Sequence, residues 1–190
     1  MSSLADSIAA LEGKFTILSK KVFRDETTLT VSREKIAEIC LFCRDFLAFD
    51  YLIDITSVDN FGSEPRFEIV YELSSIATQV HLRLKLTVSE DEPKVPTVSA
   101  VWPTANWHER EIYDMMGIDF PGHPDMRRIL MWEGYPYYPL RKEFPLGGKS
   151  SEVPEVAFSK PAPMEGGPFV TAPSLATVKD REPRSRRMDD

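Results

Sequence analysis

The run EREIYDMMGIDFPGHPDMRRIL, Glu109 to Leu130, crowds Glu109, Glu111, Asp114, Asp119 and Asp125 together with Arg110, Arg127, Arg128 and His123. Side chains of these types at this density suit three kinds of chemistry. Carboxylates around a histidine hold a hard metal ion or serve as acid and base in hydrolysis. Carboxylates interleaved with arginines form an ion-pair network. Such a network, where exposed, presents a surface to another protein. The metal reading is a stand-alone metal-dependent hydrolase built on His123 with Asp114, Asp119 and Asp125. Against it, His81, His108 and His123 fall in no H-E-x-x-H or comparable ligand spacing. His108 and Glu111 are spaced for one helix face, but no third ligand completes a set. No nucleophile–base pair is evident in the run.

The local grammar of the run is helical at first. Asn106 is a good N-cap with Glu109 in the capping-box position, and Gly117 suits a left-handed close. This predicts a helix over Trp107–Met116. One stripe of it, His108, Ile112, Met115 and Met116, suits a core. A second, Arg110, Glu111 and Asp114, reads as a compact charged face, with Arg110 and Asp114 spaced i, i+4. Asp114 stands in the last turn, where the helix dipole disfavours a negative charge by about 0.3–1 kcal/mol. A cation should compensate it, either Arg110 or the Arg127–Arg128 pair. The latter requires the chain to fold back across the helix, turning at Pro121-Gly122 and Pro124. The following MWEGYPYYPLRKEFPL mixes Trp132, Tyr135, Tyr137, Tyr138 and Phe144 with prolines, Arg141 and Lys142. Aromatic- and arginine-rich irregular segments make protein–protein surfaces; the plainer alternative is a loop wrapped on its own domain.

Two other motifs are weaker. Gly147-Gly148-Lys149-Ser150 resembles the end of a phosphate loop, but Glu143 stands where that loop needs its first glycine, and no helix-forming stretch follows. No G-x-G-x-x-G is present. Cys40 and Cys43 form a C-x-x-C inside a helical pattern with Ile36, Ile39, Phe46 and Leu47. A redox pair belongs at a helix start, so core packing is the expectation. Two thiols also cannot supply the four of an ordinary iron–sulfur cluster.

These residues need elements to position them. Ser2 or Ser3 caps a short helix with Leu4, Ile8 and Leu11 on one face. Thr27–Val31 reads as a strand, Ser32 caps a helix over Arg33–Ala48, and Tyr51–Ser57 reads as a second strand. After the DNFGSEP turn, RFEIVYELS and TQVHLRLKLTVS form a hairpin. In the latter Val80, Leu82, Leu84, Leu86 and Val88 face the core, while His81, Arg83, Lys85 and Thr87 face water. TVSAVW is read as a further strand. Runs of strands without strict alternation predict an α+β fold, with helices packed on a small mostly antiparallel sheet and a long irregular C-terminal extension. The expected division is an α+β domain over 1–103, the signature helix and interface segment over 104–146, and an extended tail over 147–190. The tail from Ser150 holds six of the 15 prolines. On its own it is expected to be extended or disordered; either it stays a free tail, or Val156, Phe158, Phe169 and Leu175 are anchors by which it orders along a partner.

The totals agree with a folded chain. It has 190 residues, 42% hydrophobic, with a net charge of −7. The acidic balance argues against a nucleic-acid partner. No run approaches the roughly 18 apolar residues of a membrane span. MSSLADSIAALEGKF lacks both a secretory pattern and a transit-peptide composition, so membrane association is expected only through partners.

NWHEREIYDMMGIDFPGHPDMRRIL followed by PLRKEFPL closely resembles the signature of the 30 kDa subunit of proton-pumping NADH:quinone oxidoreductase, respiratory complex I. Glu109-Arg110-Glu111, Asp114, Gly117, Phe120, Gly122-His123-Pro124, Arg127-Arg128-Ile129-Leu130 and Pro139-Leu140-Arg141-Lys142 fall in register. The chain departs at Met116 and across Met131–Tyr138. The resemblance implies a subunit of the peripheral arm without catalytic residues, metal, flavin or iron–sulfur cluster of its own, beside the large quinone-site subunit. The FMN, iron–sulfur clusters, NADH and quinone of the complex would belong to other subunits. It also implies a place on the cytoplasmic side of the bacterial inner membrane, held there peripherally. Glu109, Arg110, Glu111, Asp114, His123, Asp125, Arg127, Arg128, Arg141 and Lys142 are the expected subunit-interface residues. The equivalent subunit of a membrane-bound hydrogenase or ferredoxin-dependent complex is the nearest alternative.

Overall fold

A computed structural model describes residues 3–148. The chain divides into two compact units, Met1–Arg141 and Lys142–Asp190. The tail anchors and the glycine–lysine motif beyond Gly148 lie outside the described residues. In the second unit the described part is a turn, with the Gly148 N–H donating to the Pro145 carbonyl at 2.9 Å.

The first unit opens with α1 (Leu4–Lys14), capped by Ser3 in a full capping box with Asp6. Ile8 and Leu11 are buried. Then comes β1 (Ile17–Phe23), which sequence periodicity does not announce: Ser19, Lys20 and Lys21 interrupt its apolar residues, and six of its seven positions are exposed. A two-residue turn, Arg24-Asp25, joins it to β2 (Glu26–Val31). Both turn residues have positive φ, 50° and 64°, the twist a tight hairpin demands. A 3-10 turn at Arg33–Lys35 leads into α2 (Ile36–Leu47). The expected Ser32 cap gives no side-chain bond to the helix; its hydroxyl bonds Glu34 instead.

α2 buries Ile36, Ile39, Cys40 and Cys43. Phe46, expected inside with them, is 70% exposed and stacks on Phe42 beside Lys14. Next are β3 (Tyr51–Asp59), β4 (Phe67–Ser74) and β5 (His81–Val88). The sheet order is β1-β2-β5-β4-β3. Every pairing is antiparallel except β2 with β5. The register lines up Leu29, Leu84, Tyr71 and Ile55 in one row. All four are buried and join the helix residues in one core. The alternate row carries Arg83, which pairs with Glu72 and Glu26, and Lys85, which pairs with Glu68. This is the wet face expected for β5, with His81 on it.

TVSAVW is not a strand. Pro96 and Pro103 bracket it, and prolines remove ladder donors. Val98, Val101 and Trp102 are buried together, because Val101 and Trp102 both donate their N–H groups to the Val98 carbonyl. That turn spacing, not period two, puts the three side chains on one side. The chain then enters α3 (Ala105–Met116), which packs on β3.

Candidate docking surface around the third helix

α3 begins at Ala105, two residues before the sequence suggests. Its N-cap is Thr104, without a side-chain bond. The predicted capping box does not form, because Glu109 points inward and is 0% exposed. Its carboxylate accepts from the Val98 N–H at 2.7 Å and from the Thr97 hydroxyl. It thereby ties the 97–102 turn to α3. Burial pushes the Glu109 carboxyl up to about 7, with the Thr97 and Val98 bonds opposing. Thr97 and Val98 carry no chemical signature, so the sequence had no means of naming them.

The other end of α3 is held by Asp114, also 0% exposed. One oxygen accepts three backbone N–H groups, from Ile129 at 3.0 Å, Leu130 at 2.7 Å and Met131 at 2.9 Å. The other accepts from Arg128 at 2.6 Å. Burial opposes the charge, and these four donors outweigh it, so the carboxyl lies below its usual range. The cation required by the helix dipole is therefore Arg128. Arg110 instead donates to the carbonyls of Arg127 and Arg128 and lies 5.3 Å from the Trp107 ring. The expected fold-back across the helix is present, but the expected charged face is not one face. Asp114 is internal, Arg110 is half-buried and Glu111 is exposed.

Gly117 closes the helix at φ +72°. A Cβ there would lie 2.5 Å from the Tyr138 ring, so the position needs both the conformation and the space of glycine. Arg141 donates to the Met116 carbonyl at 2.7 Å and lies 4.6 Å from the same Tyr138 ring. Tyr135 is buried and contacts the rings of Trp132 and Tyr137 edge-on. The aromatic segment thus wraps in large part on its own unit, the plainer of the two expectations. His108, placed in the core stripe by its spacing, is half-exposed and reaches Asp54 at 3.1 Å.

His123 does not join a metal site. Its side chain is 0% exposed. Nδ1 accepts the Asp125 N–H at 3.0 Å, and Nε2 lies 3.2 Å from the Asn106 carbonyl. Asp125 pairs with Arg127, Asp114 is committed to Arg128, and the Asp119 backbone bonds residues 93 and 95. The metal-hydrolase set therefore does not converge, and no group of three or more potential ligands among the described residues could hold an ion. On the outside remain Trp107 at 63%, Leu130 at 61% and the Arg127 side chain at 70%. A cleft of about 240 Å³ is lined by Arg127 with Tyr113, Met126, Arg128, Glu133 and Gly134. Lys142, in the second unit, is exposed.

Residues 29–150 match the family described as "Respiratory-chain NADH dehydrogenase, 30 Kd subunit". The chain belongs to this family. It is 46% identical over 149 residues to the NADH-quinone oxidoreductase C subunit of Geobacter sulfurreducens, covering 77% of this chain and 92% of the relative. The second of the C subunits named in Rhizobium meliloti is 47% identical over 149 residues, covering 77% and 78%. Among solved structures, the trypsin-resistant fragment of Nqo5 superposes with a TM-score of 0.54 at 30% identity, covering 64% of this chain and 95% of that one. A polypeptide of an archaeal membrane-bound sulfane sulfur reductase gives 0.64 at 26% identity, covering 75% and 86%. The matched span includes the Glu109–Leu130 run in which the resemblance to the 30 kDa subunit is read.

Proposed function

We propose that this chain is a structural subunit in the peripheral arm of a proton-translocating NADH:quinone oxidoreductase. It supports electron transfer from NADH to quinone by docking beside the large quinone-site subunit, and leaves the FMN, the clusters and the quinone to other polypeptides. The observation that carries this reading is the commitment of Asp114. A fully buried carboxylate is used to fix the backbone of residues 129–131, and that backbone carries the exposed Leu130; Arg110 ties the Arg127 carbonyl to the same helix and lies over the ring of the exposed Trp107. A rigid frame holding an exposed Trp, Arg and Leu is the make-up of an interface anchor. Glu109 and His123, the groups best suited to proton chemistry, have side chains closed to solvent, which argues for a framework role.

The sulfane sulfur reductase to which the chain is also similar is named for a different electron acceptor. The higher identity to the NADH-quinone oxidoreductase relatives favours NADH. No helix among the described residues is long and apolar enough to cross a membrane, in keeping with a peripheral place, here assigned to the cytoplasmic side. The test is recovery of the tagged full chain in mild detergent from its native cells. Co-recovery of the large quinone-site and flavin subunits is expected, with Trp107→Ala and Arg127→Ala weakening it while the purified variants keep the wild-type melting temperature. Wild-type recovery and quinone reductase activity in both variants would overturn the docking role.

A further inference from the structure

The signature surface lies around α3. The opposite end of the sheet order, at β1, has a separate unpartnered feature. Among the described residues, β1 pairs with β2 on one edge only. Phe23 and Glu26 flank the two-residue turn, and such a flanking pair exchanges both backbone hydrogen bonds. By alternation Lys21 and Ser19 also bond β2, so the N–H and C=O groups of Lys20 and Val22 point away from the sheet. Both faces of the strand are open as well: Leu18, Val22 and Phe23 are 60%, 63% and 62% exposed. A concavity of about 510 Å³ lies beside its first half, lined by Glu12–Ile17, Ser19 and Lys20.

An edge of this kind templates strand addition unless something blocks it. Lys20 and Lys21 block one partner in particular. Antiparallel pairing with a second copy would set lysine against lysine at the centre of the ladder, and like charges directly opposite are destabilising. Lys20 reaches Glu12 at 3.0 Å and is still 44% exposed, and Lys21 and Arg24 are exposed. The same cations favour a strand bearing carboxylates.

We propose that the β1 edge accepts an extended, acid-bearing strand of a neighbouring subunit, extending the sheet beyond β1. The recognition is main-chain pairing at Lys20 and Val22, with an apolar side chain over Val22 and carboxylates opposite Lys20 and Lys21. This rests on the assembly reading above but uses a different surface.

The test compares amide exchange of the full chain alone and in the intact, mildly solubilised complex. The outward amides of Lys20 and Val22 should exchange at least about tenfold more slowly in the complex. Val22→Pro removes an outward donor without touching the β1–β2 ladder, and Lys21→Glu reverses the charge. Each should lower retention in the complex by about fivefold or more, with the melting temperature of the isolated chain unchanged. A charge-neutral Lys21→Gln should fall between wild type and Lys21→Glu. If the complex forms and the two amides exchange as fast as in the free chain, the strand proposal is wrong and the docking reading stands. If Val22→Pro destabilises the isolated chain, exchange in the wild type and the Lys21 pair still decide it. A chain absent from any complex would overturn both.

Discussion

At the scale of single residues, two buried carboxylates on one helix behave in opposite ways. Asp114 is held ionised by four donors, whereas Glu109 has only two and lies in a deeper interior that disfavours its charge. Asp114→Ala leaves Arg128 and three N–H groups without their acceptor, a loss of about 3–5 kcal/mol, to be read from denaturant midpoints of the purified chain. The pH signs differ too. Asp114, with its pKa lowered in the fold, stabilises above the unfolded value of 3.8, and that contribution is lost as pH falls through the lower folded value. Glu109 binds a proton more tightly folded than unfolded, so its contribution falls as pH rises from 4.5 through about 7. The difference is roughly 3 kcal/mol. Glu109→Gln keeps a bond acceptor and a donor without the charge. It should flatten stability between pH 4.5 and 7 and match or exceed wild type at pH 8; an unchanged slope would refute the assignment. Burial pushes the Cys43 thiol up to about 12, so neither helix cysteine is built for thiolate chemistry.

Among the elements, the return loop after α3 carries the organisation. Nothing in it is regular structure, yet its backbone is tied to the helix by Asp114, Arg110 and Arg141. Gly117 is the hinge of that arrangement. Gly117→Ala costs about 1–2 kcal/mol for the left-handed conformation alone, and it also forces the Tyr138 ring out of its place between Arg128 and Arg141. The expected result is a lower melting temperature with loss of near-ultraviolet tyrosine dichroism. Tyr138→Ala in the same background should recover part of the loss by making room for the methyl group. A Gly117→Ala chain as stable as wild type would mean that the loop is not held against the helix end.

For the whole molecule, the picture is a sheet with two differently built ends. Close to β3 lies α3 with a fixed loop and exposed Trp107, Arg127 and Leu130. At the far edge lies β1, which among the described residues pairs only with β2. An isolated chain with its interior ion pairs satisfied should fold alone, and exposed positions should matter only in the assembly. Arg127→Ala is therefore expected to shift the midpoint of the free chain by less than about 0.5 kcal/mol, measured beside its effect on recovery of the complex. A large shift in the free chain would make Arg127 a folding residue and remove it from the docking surface.

The sequence alone was enough for what depends on period and local chemistry. The α1 cap, the alternation of β5, the buried C-x-x-C, the helix closed at Gly117 and the family signature were all legible, because each is written in residues a few positions apart. The missed pieces needed long-range partners. β1 has too little burial on either face to show a period. Val98 to Trp102 mimics a strand until its prolines and turn bonds are seen. Glu109 satisfies a capping rule on paper, but in space the Val98 N–H and the Thr97 hydroxyl lie closer, and the helix start does without it. Whether an ionisable group faces water or the interior depends on which distant backbone donors the fold brings within about 3 Å, and local spacing carries no record of that.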